Sequence, residues 1–169
     1  MAYFVIIRGP LGVGKSTVSK KLADLLHGVY ISIDSILEKH GLDKVENEES
    51  IPIKNFLAGN DIIIHQIKQN IVKNTPVIID GNFYHREQIE HLIDQLPFEH
   101  FVFTLKASLE TCIERDQNRD KPYGKDAATA VHSMVSRFDY GHTIDTQNLE
   151  EKGVIDEMLS FLPPSYIIR

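Results

Sequence analysis

Apolar residues in this chain form two kinds of run that take turns along its length. Tyr3-Phe4-Val5-Ile6-Ile7, Val29-Tyr30-Ile31-Ser32-Ile33, Pro76-Val77-Ile78-Ile79 and His100-Phe101-Val102-Phe103-Thr104-Leu105 are short and β-prone, the pattern of parallel strands covered on both faces. Between them the apolar residues recur at helical spacing. Val18, Leu22, Leu25 and Leu26 predict a helix ending near His27-Gly28. Ser35 to His40 suits a short helix. Ile63, Ile64, Ile67 and Ile71 predict a longer one with Asn60 as N-cap, length outweighing the strand preference of isoleucine. Ile89, Leu92, Ile93 and Leu96 trace another, stopped by Pro97. Ser108 can cap a helix with Leu109, Cys112 and Ile113 inward, and Val131, Met134, Val135 and Phe138 predict a helix that also carries Arg137. A brief strand at Thr143-Ile144-Asp145 and a last helix with Ile155, Met158, Leu159 and Leu162 follow, the latter opened by an Asn148/Glu151 capping box.

Strands alternating with helices predict an α/β sandwich around an essentially parallel, five-stranded sheet with right-handed crossovers. No repeat or interdomain linker breaks residues 1–169, so one domain is expected, and a chain of this size buries roughly 70% of its unfolded surface. Two stretches are neither strand nor helix by pattern. Gly41 to Gly59 is polar, acidic and too long for a turn, suited to an acceptor-binding excursion or a solvated loop. Asp120-Lys121-Pro122-Tyr123-Gly124-Lys125 joins two helices by a charged turn, the outline of a lid over residues 115–137.

Hydrophobic content of 42% and charged content of 25% are ordinary for a globular protein, with no long apolar run and no basic apolar leader. The expectation is a soluble, cytoplasmic protein without a membrane partner, monomeric or homodimeric. The one cysteine, Cys112, excludes an intramolecular disulfide and has the neighbours of a buried helix position. A net charge of −6 argues against a nucleic-acid-coating surface but leaves room for a local basic groove. Eight histidines lack H-E-x-x-H or other tight zinc spacing, and none is assigned a catalytic role.

Specific chemistry resides in Gly9-Pro10-Leu11-Gly12-Val13-Gly14-Lys15-Ser16, which fits G-x-x-x-x-G-K-S/T at every fixed position and stands between a predicted strand and a predicted helix. Backbone N–H groups in such a loop curl around a phosphate chain, assisted by the positive end of the helix. Lys15 would reach the β- and γ-phosphates of a nucleoside triphosphate, and the Ser16 hydroxyl would hold magnesium. Asp34 and Asp80 follow predicted strands, at the crevice where open α/β sheets bind ligands.

These residues resemble the P-loop kinases of the nucleotide, shikimate and gluconate kinase group, nearest to polynucleotide-kinase-like and zeta-toxin-like proteins. The resemblance spans nearly the whole chain, although only Gly9 to Ser16 is highly specific. It implies ATP and Mg2+ as cofactors and a sheet order of 2-3-1-4-5. It also implies nucleotide contacts by Gly9, Leu11, Gly12, Val13, Gly14, Lys15, Ser16, Thr17 and Arg115. Asp34 resembles the carboxylate that accepts or orients the acceptor hydroxyl, or else an N-cap for the helix after it. Asp80 resembles the strand-end acid that supports magnesium through water or contacts the acceptor, or else part of an Asp-Gly-Asn turn. Arg115 and Arg119 look like lid arginines, one against the base or ribose and one on the transferring phosphoryl group, or else a solvated helix face. Arg86 could bind an anionic acceptor group or be a surface residue. Departures are Ser32, where several metabolite kinases carry a second acid, Glu38 in place of an arginine, and Asp80-Gly81-Asn82 in place of a triple-glycine signature. The implied activity is ATP-dependent phosphoryl transfer to a small metabolite or a nucleoside or nucleotide. Alternatives are a polynucleotide 5′-hydroxyl kinase and a noncatalytic ATP-binding module; no N-K-x-D motif supports a GTPase.

Overall fold

All five expected strands pair in one sheet: β1 Phe4–Arg8, β2 Val29–Ser32, β3 Val77–Gly81, β4 His100–Lys106 and β5 His142–Asp145. Every pairing is parallel and the order is β2-β3-β1-β4-β5, as the resemblance implied. The computed structural model describes residues 1–45 and 50–164. Its helices are α1 Lys15–Leu25, α2 Ile33–Lys39, α3 Ile53–Val72, α4 Arg86–Gln95, α5 Leu109–Gln117, α6 Lys125–Val135 and α7 Glu151–Phe161. None of these helices is long and apolar enough to cross a membrane.

Strand periodicity divides the core in two. Val5 and Ile7 of β1, with Tyr3 just before it, face α1 and α7, against Val18, Leu22, Val154 and Met158. Phe4 and Ile6 face the other way, onto Ile63, Ile67 and Ile71 of α3 and Ile89 and Leu92 of α4. With helices on both faces, all five residues of β1 and of β3 are buried, which is why those strands read as unbroken apolar runs. A smaller cluster gathers Leu37 of α2, Phe56 of α3, Tyr84 and Val135 of α6.

Several boundaries differ from expectation. α3 begins at Ile53 after Pro52, and Asn60 is a buried interior residue whose Nδ2 donates to the Gln88 carbonyl at 2.9 Å. A tertiary partner, not a helix end, engages its amide nitrogen. Of the expected excursion 41–59, residues 53–59 are therefore helical, and residues 46–49 lie outside the described residues. β2 stops at Ser32, whose Oγ accepts from the Ser35 N–H at 3.3 Å, so Ser32 caps α2 and Asp34 sits in its first turn. α6 ends at Val135, leaving Arg137 and Phe138 beyond it. The Asn148/Glu151 capping box does not form, since Glu150 precedes α7 without a side-chain cap bond.

Candidate active site

Between β1 and α1 the chain turns sharply through two left-handed glycines, Gly12 at φ 81° and Gly14 at φ 98°. At Gly12 a side chain would strike the Cys112 carbonyl of α5, so the loop packs too closely for any other residue. At Gly14 a Cβ would meet nothing within 4 Å. That open side belongs to a cavity of about 230 Å³ lined by Gly12, Gly14, Lys15, Ser16, Thr17, Arg115 and Arg119. A second depression shares Gly14, Thr17 and Arg115 and extends past Val13 and Val18 to Thr146, Leu149 and Val154. The side chains of Leu11 and Val13 are buried beneath the loop, and a Cβ on Gly9 would crowd Val13 and Leu105.

Lys15, the first residue of α1, is buried, and its Nζ donates to the Pro10 carbonyl of its own loop at 3.0 Å. Burial lowers its pKa against the opposing pull of Asp34 and Asp80. Asp34 accepts from the Asn82 N–H at 3.2 Å. Burial pushes its carboxyl up to about 6, with Lys15 opposing and Asp80 reinforcing. Asp80, at the end of β3 and 1% exposed, is likewise raised by burial, opposed by Lys15 and by hydroxyls of Tyr30, Ser16 and Ser32. Two acids and an ammonium thus share one low-dielectric corner beside the phosphate loop. The Asn82 Oδ1 next to them is buried without a hydrogen-bond partner.

Arg115 also lines the cavity. It donates to Val13 O at 3.3 Å, to Thr146 Oγ1 at 3.1 Å and to Thr146 O at 3.2 Å, fastening the loop to the segment after β5. Arg119 lies beyond the end of α5, so the two arginines do not share one helix face as their spacing suggested. It approaches Asp116 Oδ1 at 3.8 Å and covers the Tyr123 ring at 5.0 Å. Asp116, 1% exposed, accepts from the N–H groups of Tyr123 at 3.2 Å and Gly124 at 2.9 Å.

The sequence-predicted residues Gly12, Gly14, Lys15, Ser16, Thr17, Arg115 and Arg119 therefore line one cavity, with Asp34 and Asp80 grouped around Lys15. Arg86 belongs to a different cluster. Its guanidinium lies over Phe138 at 4.9 Å and Tyr140 at 5.2 Å. The sequence reading missed Tyr30, Asp116 and Arg8. A period-of-two face shared by Tyr30 and Ser32 marked the first, and a charge ending the β1 run just before Gly9 marked the last.

A phosphate-binding loop at the first strand-to-helix turn of a parallel 2-3-1-4-5 sheet defines the P-loop kinase class of fold. Within it, the chain belongs to the AAA domain family, whose model matches residues 4–139. It is similar to the deoxyguanosine kinase of Bacillus subtilis (strain 168), 27% identical over 164 residues that cover 82% of this chain and 77% of that protein. An unliganded sugar kinase structure from Janibacter sp. HTCC2649 shares the fold with a TM-score of 0.80 and 14% identity, covering 100% of both chains. A gluconokinase structure from Sinorhizobium meliloti 1021 follows at a TM-score of 0.70 and 14% identity, covering 92% of this chain and 89% of that one. The expected P-loop kinase fold is borne out, and a gluconokinase shares it.

Proposed function

We propose that this protein is an ATP- and magnesium-dependent kinase that moves the γ-phosphoryl group of ATP to a small metabolite or a nucleoside or nucleotide. The observation that carries the proposal is the grouping of Asp34 and Asp80 around Lys15, directly beside the open Gly14 cradle. A module that only bound nucleotide would not need two acids raised by desolvation beside its lysine, one of them 1% exposed.

The residues fit the implied groups. A Cβ-free space at Gly14 and an ammonium turned onto its own loop carbonyl suit an incoming phosphate chain. Ser16 and Asp80 supply hard oxygen donors for magnesium. Among the described residues no cluster of three or more His, Cys, Asp or Glu could hold a metal, as suits an ion carried in largely by phosphates and water. Bound MgATP supplies the transferable phosphoryl group and partial neutralisation of its charge. Lys15 exchanges the Pro10 carbonyl for phosphate oxygens. Asp34 orients the acceptor hydroxyl and takes its proton. Arg115 fixes the wall against which the base and ribose rest, and Arg119 contributes charge to the transferring group. In this reading residues 1–169 work as one kinase domain with 115–137 as its lid, whose closure excludes water.

Acceptor size is argued from the wall near Asp34. Phe56, Phe83 and Tyr84 are 1%, 0% and 7% exposed, and Phe56 packs edge-on to Tyr84 at 5.1 Å. These rings are spent on packing, which favours a small acceptor over a strand of stacked bases. The name of the bacillary relative adds support for a nucleoside. The test is a screen for ATP-dependent phosphorylation of nucleosides, sugars, hydroxylated metabolites and 5′-hydroxyl oligonucleotides. A small acceptor should turn over, and Lys15→Ala should abolish that turnover while circular dichroism stays unchanged. Tight ATP binding with no acceptor consumed, or full activity in Lys15→Ala, sinks the reading.

A further inference from the structure

Asp80 is held from the neighbouring strand by a tyrosine. Tyr30 and Ser32 share one face of β2, and the register sets Ser32 opposite Asp80 and Tyr30 opposite Ile78. The phenol therefore reaches diagonally along the sheet, and its O–H donates to Asp80 Oδ2 at 3.1 Å. The Ser16 and Ser32 hydroxyls lie close enough to both the phenol and the carboxylate to lower the pKa of each. Lys20, one turn after Ser16 on α1, lies over the Tyr30 ring at 5.5 Å.

A carboxylate rotates freely about its last bond unless a partner fixes it, and outer hydrogen bonds are what aim a ligating carboxylate at its ion. We infer that Tyr30 is a positioning residue for the divalent-cation site, its phenol turning the Asp80 carboxylate toward the Ser16 hydroxyl. The inference rests on the reading above in which Ser16 and Asp80 hold magnesium.

The test uses the full chain, Mn2+ as probe and a non-hydrolysable ATP analogue, with free Mn2+ read by electron paramagnetic resonance. Tyr30→Phe removes one oxygen and keeps the ring. It should weaken Mn2+ binding by about 10-fold or more, the range for loss of an outer partner, while analogue affinity in EDTA stays at the wild-type value. In an Asp80→Asn background, Tyr30→Phe should weaken Mn2+ binding no further, because the phenol acts through the carboxylate. If Asp80→Asn weakens Mn2+ binding and Tyr30→Phe does not, the role of Tyr30 falls while the cation site stands. If neither variant changes it, the cation site itself is wrong and the inference falls with it.

Discussion

Asp34 is the residue at which stability and the proposed function are set against each other. Its carboxyl is raised from 3.8 to about 6, with burial as the main cause. A raised acid contributes stability that is fully present below pH 3.8 and lost as pH rises through about 6, because folding then holds a charge that the unfolded chain would hydrate. Asp34→Asn keeps an oxygen for the Asn82 N–H and removes the charge. The variant should equal the wild type in urea unfolding near pH 4 and exceed it at pH 7.5, by at most about 3 kcal/mol. Its phosphoryl transfer should fall at the same time. A wild type as stable as the variant at pH 7.5 would show that Asp34 bears no burial penalty. Lys15 carries the mirror-image cost, since burial disfavours its charged form while both aspartates favour it.

At the scale of elements, what is local in sequence was legible and what is cross-chain was not. β1, the loop and α1 are contiguous, and unbroken apolar burial leaves a pattern that needs no partner to be read. Asn60 shows the opposite case. Its polarity suggested a helix start, but its partner Gln88 lies across α3 and α4. The grouping of Lys15, Asp34 and Asp80 likewise depends on β3 lying between β1 and β2, an order that came from resemblance rather than from periodicity. The turn from α5 to α6 was legible as charged and punctuated, yet its organiser was not. Asp116 gathers the N–H groups of Tyr123 and Gly124 and stands beside Arg119, so one buried carboxylate shapes the turn and steadies a lining residue of the cavity. Asp116→Ala should cost about 2 kcal/mol, typical for hydrogen bonds to a charged group. Amide exchange should accelerate across residues 118–124 and ATP affinity should fall. Unaltered exchange there would mean that Pro122 and Gly124 set the turn unaided.

Across the whole molecule the decisive tie is Arg8, the last residue of β1 and 0% exposed. Its guanidinium donates to Val135 O and Phe138 O, each at 2.9 Å, and to Phe83 O and Thr104 Oγ1, each at 3.2 Å, while covering the Phe138 ring at 4.2 Å. Thr104 Oγ1 in turn donates to Tyr140 O at 2.7 Å and accepts from Tyr140 N at 3.1 Å. The strand that delivers the phosphate loop is thereby fastened to the C-terminal end of α6, where carbonyls favour a cation. Burial lowers the guanidinium only to about 10, so it remains charged at neutral pH. Arg8→Met keeps much of the aliphatic bulk but strands several buried acceptors, each costing about 1–3 kcal/mol when unpaired. Arg8→Lys keeps the charge without the planar fork. Urea midpoints should therefore fall in the order wild type, Arg8→Lys, Arg8→Met, with exchange protection lost first over residues 135–140. An Arg8→Met variant as stable as the wild type would instead show that apolar packing replaces the guanidinium, as it can for other buried ionic groups.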